Sequence, residues 1–354
     1  MRTTFVALAS LIVVGAAPFG ATLAQARPQE AAPAAAQADT RPLVLRSRSL
    51  GVMGTDLVIE VAGPDPEALE AAIDAAVAEL VRVEDLMTDW RDSPLMTLNA
   101  AAGQGPTKVP EELARLVARS LLIAEATGGA FDPTFKSAGK LWDFKAKPPR
   151  IPSDEELALA LSRVGWKRVA VDLEASTVTL PEGAALGLGG IAKGYGVDCA
   201  MSVLMKRGIK HAIVNAGGDL KALGKRLDEP WRVAIKHPRE RERVLAVLPV
   251  SNICLVTSGD YERFFELDGV RYHHILDPRT GRPSQGCMSA TVLAPDAAFA
   301  DALATALCVL SPEEGLAVIA KLPRVEALVV GLDGSVHRSP GLKTLAEQPP
   351  AASK

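Results

Sequence analysis

The chain has 354 residues, enough for one large domain or two small ones, and its 48% hydrophobic and 23% charged residues are typical of globular proteins. Its 39 basic and 42 acidic residues give a net charge of −3, and only 4% of the residues are aromatic. The lack of a basic stretch and the scarcity of aromatic side chains argue against nucleic-acid binding.

The N-terminus has the pattern of a secretory signal peptide, in which one arginine precedes an apolar run and an A-x-A cleavage site. The cleavage site is Ala24–Ala26, and Pro18 and Gly20 interrupt the run before it reaches the ~20 apolar residues of a membrane span. We therefore predict a signal peptide at residues 1–26, export to the periplasm and no stable membrane span. No cysteine lies near the cleavage site, so a lipid anchor is not expected.

Beyond the signal peptide, composition divides the chain into a linker, a folded domain and a tail. Residues 27–41 are rich in Ala, Pro and Gln and lack the periodicity of a packed element, which predicts a flexible linker. Folded structure is expected over residues 42–342. The sequence from Pro340 indicates a loose tail, with residues 343–354 outside the domain.

The predicted elements alternate irregularly between strands with a period of two and helices with a helical period. Asp65 with Pro66 marks the start of the first helix, and Ser153 with Glu156 forms a capping box. Thr88–Asn99 is predicted to be a polar loop. The predicted strands are Leu43–Leu50, Val52–Val61, Val169–Asp172, Thr177–Leu180, Ala212–Asn215, Trp231–Lys236, Val244–Pro249, Ile253–Thr257, Val270–Leu276, Ser289–Leu293 and a final hairpin in Val325–Val336. The other predicted helices are Pro110–Thr127, Ser153–Val164, Val197–Met205, Phe299–Leu310 and one capped by Ser311.

This order of elements predicts an α+β fold class with mixed, largely antiparallel sheets and flanking helices. Several neighbouring strands are close enough in sequence to be joined as hairpins, which argues against a doubly wound parallel sheet. We expect a ligand cleft between two lobes of such a fold.

The segment Leu186–Asp198, LGLGGIAKGYGVD, places five glycines around the start of the helix predicted at Val197–Met205. A glycine loop before a helix lets the backbone approach a ligand and directs free N–H groups toward an anion such as phosphate. Lys193 adds a positive charge. The alternative is a tight turn without a ligand, since the segment matches neither a Walker A loop nor a Rossmann fingerprint. A second glycine turn, Ala216–Asp219, ends in a carboxylate.

Asp301 and Thr305 stand four residues apart on a predicted helix and therefore share one face. They offer carboxylate and hydroxyl oxygens, the ligands that Mg²⁺ prefers, although a capping or surface pair is the alternative. Two polar side chains on an otherwise apolar helix need partners. His274 could act as a general base near neutral pH, or it could be a structural histidine.

The four cysteines lack the spacing of a metal site. Cys199 and Cys308 lie in apolar, helix-like runs and are expected in the core. An exported protein can form disulfides, but the sequence fixes no pairing among these two residues, Cys254 and Cys287.

Several motifs, in order, resemble the ApbE family of FAD:protein FMN transferases over roughly Pro42 to Leu310. The segments that carry the resemblance are Met53–Thr55, MTDWRDSPLMTLN (Met87–Asn99), TGGAFDP (Thr127–Pro133), LGGIAKGYGVD (Leu188–Asp198), NAGGD (Asn215–Asp219), TSGDYERFF (Thr257–Phe265), HHILDPRTGRP (His273–Pro283) and ADALATAL (Ala300–Leu307).

The resemblance implies an ApbE-like fold and an enzyme that uses Mg²⁺ to move FMN from FAD onto a Ser or Thr hydroxyl of a target protein, with release of AMP. It implies a metal site formed by Asp301 and Thr305 with the backbone of Gly190 and Ala304, and it gives His274 the role of base. The implied flavin-nucleotide contacts are Met53, Trp90, Ala130, Phe131, Asp132, Gly187, Lys193, Asp219 and Ile275.

Two departures from the family pattern accompany the resemblance. The family often has Asp before the glycine loop, where this chain has Gly187, and the loop at Arg91–Ser93 is one residue shorter.

The acceptor implied by the resemblance is an exported or membrane-facing redox subunit with a Ser/Thr flavinylation site. Besides the weakest alternative, an unrelated exported sugar- or nucleotide-binding protein, two other functions stay open. One is a periplasmic FAD pyrophosphatase that forms FMN and AMP with water as the acceptor. The other is a flavin-binding protein without turnover, against which the pair Asp301 and Thr305 argues, because plain flavin binding needs no metal.

Overall fold

The computed structural model describes residues 41–240 and 242–345; the predicted signal peptide, the linker up to residue 40 and the end of the predicted tail lie outside the described residues. The strands are β1 (Val44–Val52), β2 (Thr55–Gly63), β3 (Thr107–Lys108), β4 (Ala170–Asp172), β5 (Thr177–Thr179), β6 (His211–Ala216), β7 (Asp219–Leu223), β8 (Trp231–Lys236), β9 (Val244–Val250), β10 (Ile253–Gly259), β11 (Phe264–Leu267), β12 (Val270–His273), β13 (Ser289–Ala294), β14 (Glu326–Val330) and β15 (Val336–Arg338). The helices are α1 (Pro66–Met87), α2 (Pro94–Ala100), α3 (Glu111–Ala126), α4 (Lys136–Gly139), α5 (Asp154–Leu161), α6 (Ala192–Lys206), α7 (Ala297–Val309), α8 (Pro312–Ile319) and α9 (Pro340–Leu345).

An eight-stranded sheet forms the centre of the fold, with the strand order β1-β2-β6-β7-β10-β13-β14-β15. Small sheets accompany it: β8 pairs with β9, β11 pairs with β12, and β3, β5 and β4 form a third. The strand pairs of the described residues are all antiparallel. The predicted α+β class with largely antiparallel sheets is therefore confirmed.

The main sheet buries an apolar core on each face. On one face, α1, α6 and α7 pack on the sheet and on one another, because their apolar side chains recur at helical spacing. Leu69, Ile73 and Leu80 of α1 are buried as the periodicity predicts. On the other face, Trp231 of β8 packs in a second cluster with Leu255 of the main sheet.

The helix caps predicted from the sequence are confirmed. The Asp65 carboxylate accepts hydrogen bonds from the first backbone N–H groups of α1. Ser153 with Glu156, and Ser311 with Glu314, form reciprocal capping boxes at α5 and α8. The four cysteines are free thiols. Within the two described ranges, none of the helices is both long and apolar enough to cross a membrane.

Two segments predicted to be irregular are helical. Within the predicted loop Thr88–Asn99, helix α2 begins at Pro94, because the Ser93 hydroxyl accepts a hydrogen bond from the backbone of Met96 and proline suits the first helical position. The chain from Pro340 forms α9, in which the Leu342 side chain is fully buried in the second core. The loose tail predicted from Pro340 was wrong up to residue 345.

Helix α6 begins at Ala192, earlier than the predicted Val197, so Gly194 and Gly196 lie in a helix rather than in a loop. A Cβ atom at Gly194 would lie 2.2 Å from the backbone oxygen of Ala297. This glycine therefore permits α6 and α7 to touch at the backbone, which is a packing role. The expectation that all five glycines precede the helix was wrong for these two.

Candidate active site

A cavity of about 490 Å³ opens beside the first turn of α6, the middle of α7 and the ends of several main-sheet strands. Its other walls come from the segment around Phe131 and from the residues that flank the β11–β12 hairpin. The lining includes Met53, Trp90, Ala130, Phe131, Asp132, Gly190, Lys193, Asp219, His274, Ile275, Asp301 and Thr305, which are all of the predicted site residues except two. The structure thus brings together residues from segments that are far apart in the sequence.

Gly187 and Ala304 do not line the cavity. The Gly187 N–H donates to the backbone oxygen of Pro133 at 2.8 Å, and a Cβ atom there would lie 3.0 Å from the Phe135 ring and from the Lys136 Cβ. Gly187 therefore supports the cavity wall from behind. The Ala304 side chain is fully buried in the core.

A buried cluster of charges forms the floor of the cavity. The Lys193 ammonium lies 2.7 Å from an oxygen of Asp219 and 3.3 Å from one of Asp301. The side chains of Asp219 and Asp301 are almost completely buried, at 2% and 1% exposure, whereas the Lys193 side chain retains 27%. The Asp301 carboxylate also accepts a hydrogen bond from the backbone N–H of Gly194 at 3.2 Å. Two carboxylates therefore share one ammonium, which leaves the floor acidic.

The protonation equilibria of this cluster are strongly shifted. Burial raises the pKa of Asp219 well above its ordinary value, and repulsion from Asp301 adds to the shift. Burial alone would lower the pKa of Lys193, but the two carboxylates outweigh it and raise that pKa. Shifts of this kind in a cavity are typical of functional sites.

Asp301 and Thr305 project from one face of α7 into the cavity, as their spacing predicts. Gly190 lies against this face, since a Cβ atom there would be 3.0 Å from the Thr305 Oγ1. The described residues contain no group of three His, Cys, Asp or Glu side chains that could hold a metal. One carboxylate and one hydroxyl nevertheless suit Mg²⁺, which keeps water and takes substrate phosphates as its remaining ligands. The donor set fits the predicted metal.

His274 follows β12 and lines the cavity. Its backbone N–H donates to the Arg263 carbonyl at 3.0 Å, and its buried Nδ1 has no hydrogen-bond partner among residues 41–240 and 242–345. Burial, reinforced by the cations of Arg263 and Lys193, lowers the pKa of His274 to about 4. The imidazole is therefore neutral at pH 7, the form that accepts a proton. Its neighbour His273 instead bonds the backbone oxygen of Ser284 and has a structural role.

Met53 lies in the tight turn between β1 and β2. Its φ of 52° is a backbone conformation that residues other than glycine seldom adopt. The Glu84 carboxylate accepts a hydrogen bond from the Met53 N–H at 2.9 Å and holds the turn against α1. Trp90 stands at the cavity with 61% of its surface exposed.

Asp132 lines the cavity, but its carboxylate is occupied by local bonds. One oxygen accepts from the backbone N–H and the hydroxyl of Thr134, at 2.8 and 2.6 Å, and the other from the Trp166 N–H at 3.1 Å. Burial raises the pKa of Asp132. Asp132 therefore shapes the wall that carries Ala130 and Phe131.

Several cavity residues were missed by the sequence analysis. Lys136 forms an ion pair with Asp89 at 2.7 Å, and both line the cavity. Trp142 and Phe144 line another wall, with ring centroids 6.0 Å apart. Arg263 was within the quoted TSGDYERFF motif without a role. Ion pairs between distant segments leave no local pattern, whereas the aromatic pair in LWDF was a usable signal.

Comparison with known proteins identifies the relatives of the chain. The model of the ApbE family matches residues 53–329. A curated FAD:protein FMN transferase of Treponema pallidum (strain Nichols) is 36% identical over 315 residues, which cover 84% of this chain and 87% of that protein. One of Vibrio cholerae serotype O1 is 36% identical over 260 residues, or 72% of this chain and 77% of that protein. The crystal structure of the ApbE protein of Thermotoga maritima has a TM-score of 0.79 at 34% identity, and the match covers 86% of this chain and 100% of that one.

Proposed function

The chain belongs to the ApbE family, whose curated relatives are enzymes, and we propose that it transfers FMN from FAD to a Ser or Thr hydroxyl of an acceptor protein. We further propose that the reaction requires Mg²⁺ and releases AMP. The observation that carries the proposal is the acidic floor of the cavity, where Asp301 and Thr305 meet Lys193 and Asp219 in the same cavity as His274.

Mg²⁺ would be held by the side chains of Asp301 and Thr305 with backbone oxygens of Gly190 and Ala304. When bound, the ion supplies positive charge to the phosphate oxygens. In this scheme Lys193 orients the Asp301 carboxylate through its contact at 3.3 Å. Of the backbone groups, that of Gly190 has the stronger support, because Ala304 does not line the cavity.

The proposed step forms one bond and breaks one. The acceptor hydroxyl oxygen bonds to the FMN phosphorus of FAD, and the bond from that phosphorus to the bridging oxygen breaks, so that AMP leaves with that oxygen. The hydroxyl proton passes to the neutral imidazole of His274 and then to solvent. Positioning of the two reactants supplies much of the rate, as in other phosphoryl transfers.

We also propose that the chain is exported and acts on an exported or membrane-facing redox subunit. Support comes from the sequence of residues 1–26. Cell fractionation with mass determination of the periplasmic form tests this proposal, which predicts a mature N-terminus at Arg27. A product found only in the cytoplasm with residues 1–26 intact would contradict export.

The activity is tested with the purified protein, FAD, Mg²⁺ and Ser/Thr-bearing flavinylation peptides, each paired with its Ala counterpart. AMP release and a peptide heavier by one bound FMN, both lost with EDTA and with the Ala peptide, are the expected results. AMP with free FMN and no modified peptide would overturn transfer in favour of a pyrophosphatase. Bound FAD without AMP would leave a flavin-binding protein.

A further inference from the structure

Arg263 and His274 stand opposite each other at the base of the β11–β12 hairpin. The last strand pair is Phe264 with His273, and the next backbone bond runs from the His274 N–H to the Arg263 carbonyl at 3.0 Å. Residues directly opposite in an antiparallel ladder have Cβ atoms roughly 5 Å apart and project to the same side. Because both residues line the cavity, the guanidinium and the imidazole share one wall of it.

The charge of Arg263 is not balanced by a carboxylate. Of the other cations on the cavity lining, Lys193 is paired with Asp219 and Asp301, and Lys136 with Asp89. The Arg263 guanidinium makes one long hydrogen bond, of 3.5 Å to the Gly54 carbonyl. The neighbouring Arg239 and Arg271 take the nearby Asp260 carboxylate, and among the ion pairs of the described ranges none involves Arg263. Its donors are thus available to an anion that enters the cavity.

A guanidinium presents a planar fork of N–H donors that matches two oxygens of one phosphate. We propose that Arg263 binds the non-bridging oxygens of the FMN phosphate of FAD, next to the position where His274 takes the proton of the acceptor hydroxyl. This inference rests on the proposed function, because the position of His274 next to the attacked phosphorus selects the FMN phosphate. Arg263 would then stabilise the negative charge that grows on these oxygens as the hydroxyl attacks and AMP leaves.

The assignment separates phosphate recognition from ring recognition. Arg263 should contribute to the binding of FAD and FMN, which carry phosphate, and not to that of riboflavin, which shares only the ring and ribityl chain. Met53, Trp90 and Phe131 lie on other segments of the lining and are left to contact the ring. A general loss of cavity structure would instead weaken all three ligands.

The test is equilibrium binding of FAD, FMN and riboflavin, measured by flavin fluorescence with EDTA present, to wild type, Arg263→Gln and Arg263→Lys. We expect Arg263→Gln to weaken the binding of FAD and FMN about 10- to 100-fold and to leave the dissociation constant of riboflavin unchanged within about 2-fold. Arg263→Lys keeps the positive charge but lacks the planar fork of donors, so its affinity for FAD and FMN should lie between those of wild type and Arg263→Gln. Arg115→Gln is the matched control, because Arg115 is exposed, pairs with Glu111 on α3 and does not line the cavity.

Equal losses for riboflavin and FMN, or unchanged FMN binding, would overturn the assignment. Thermal unfolding identifies a variant that fails to fold, and Arg263→Lys then carries the comparison. A wild type that prefers FMN to riboflavin through Arg263 but transfers nothing would refute the proposed function alone. A wild type that transfers FMN with no effect of Arg263→Gln on FMN binding would refute this inference alone.

Discussion

Two lysine–aspartate clusters join the same three elements and differ in what they leave unsatisfied. At the cavity floor, Lys193 of α6 meets Asp219 of β7 and Asp301 of α7. About one turn further along α6, Asp198 meets Lys221 of β7 at 2.5 Å. The second Asp198 oxygen accepts the first N–H groups of α7, from Ala297 and Ala298 at 2.9 and 3.0 Å.

The second cluster is balanced, because Lys221 pairs with Asp198 and two helix N–H groups satisfy the other Asp198 oxygen. Arg119 pairs with the neighbouring Asp296. The first has two carboxylates for one ammonium and opens to a cavity. Buried charge that lacks a full set of partners is costly, which is why the pKa of Asp219 is raised; a cation bound at the floor would be an alternative partner for the second carboxylate. The same residue types thus hold the start of α7 against its neighbours at one place and form a candidate metal site at the other.

The largest contrast is expected from Asp301→Asn. The amide keeps the shape and can still accept from Gly194, but it removes the charged metal ligand, so FMN transfer should fall at least about 1000-fold, or ~4 kcal/mol. AMP release as a function of Mg²⁺ concentration measures the effect. Thermal unfolding within a few degrees of wild type is the control. Transfer at wild-type rates would remove Asp301 from the metal site.

Asp198→Ala should act in the opposite way, on stability rather than on transfer. It leaves the Lys221 ammonium and two N–H groups of α7 unpaired in a largely buried place, so the free energy of unfolding should fall by about 3 kcal/mol. Urea unfolding measures the change. The rate per folded molecule and its Mg²⁺ dependence should persist, and a selective loss of Mg²⁺ dependence would contradict the distinction between the clusters.

The cavity should also impose a pH dependence on stability through His274. Its pKa is about 4 in the folded protein and ~6.5 in an unfolded chain, so the unfolded state binds more protons between these values. The free energy of unfolding should therefore decrease as the pH falls from ~6.5 toward ~4, by at most about 3 kcal/mol from this residue. Urea unfolding of wild type and His274→Gln at several pH values isolates the contribution. Parallel curves for the two proteins would show that His274 is not held neutral.

The smallest effect is expected from Thr305→Val, which exchanges a hydroxyl for a methyl group of similar size. Loss of one neutral metal ligand should raise the Mg²⁺ concentration for half-maximal transfer about 10-fold, equivalent to ~1.4 kcal/mol. Thr97→Val on α2 is the matched control, because Thr97 donates to the Ser93 carbonyl outside the cavity. An equal change in this Mg²⁺ concentration for both variants would show that Thr305 is not a metal ligand.

The sequence was sufficient where the physical signal is local. The spacing of Asp301 and Thr305, the caps at Asp65 and Ser153, and the hairpin-linked strands each depend on residues close together in the chain. The missed helix α2 had the same kind of signal, a capping Ser93 before a proline, and could have been predicted.

The remaining features arise from contacts between distant segments. The partner of Asp301 is Lys193, more than a hundred positions away, and nothing in either neighbourhood specifies the pairing. The burial of Gly187 behind Phe135 likewise depends on how the cavity wall folds back. That Arg263 has no carboxylate partner among the described residues can be recognised only once the neighbouring carboxylates are placed in the fold.

The glycines of the LGGIAKGYGVD segment should therefore fall into two classes when all substitutions at each are scored for protein abundance and for flavinylation. Gly194 has the backbone oxygen of Ala297 2.2 Å from the position of a Cβ atom, so any side chain forces α6 and α7 apart and should reduce abundance. Gly190 faces the Thr305 hydroxyl at the cavity, so its variants should accumulate normally and lose flavinylation. One short motif thus encodes a helix spacing at one glycine and a ligand approach at another.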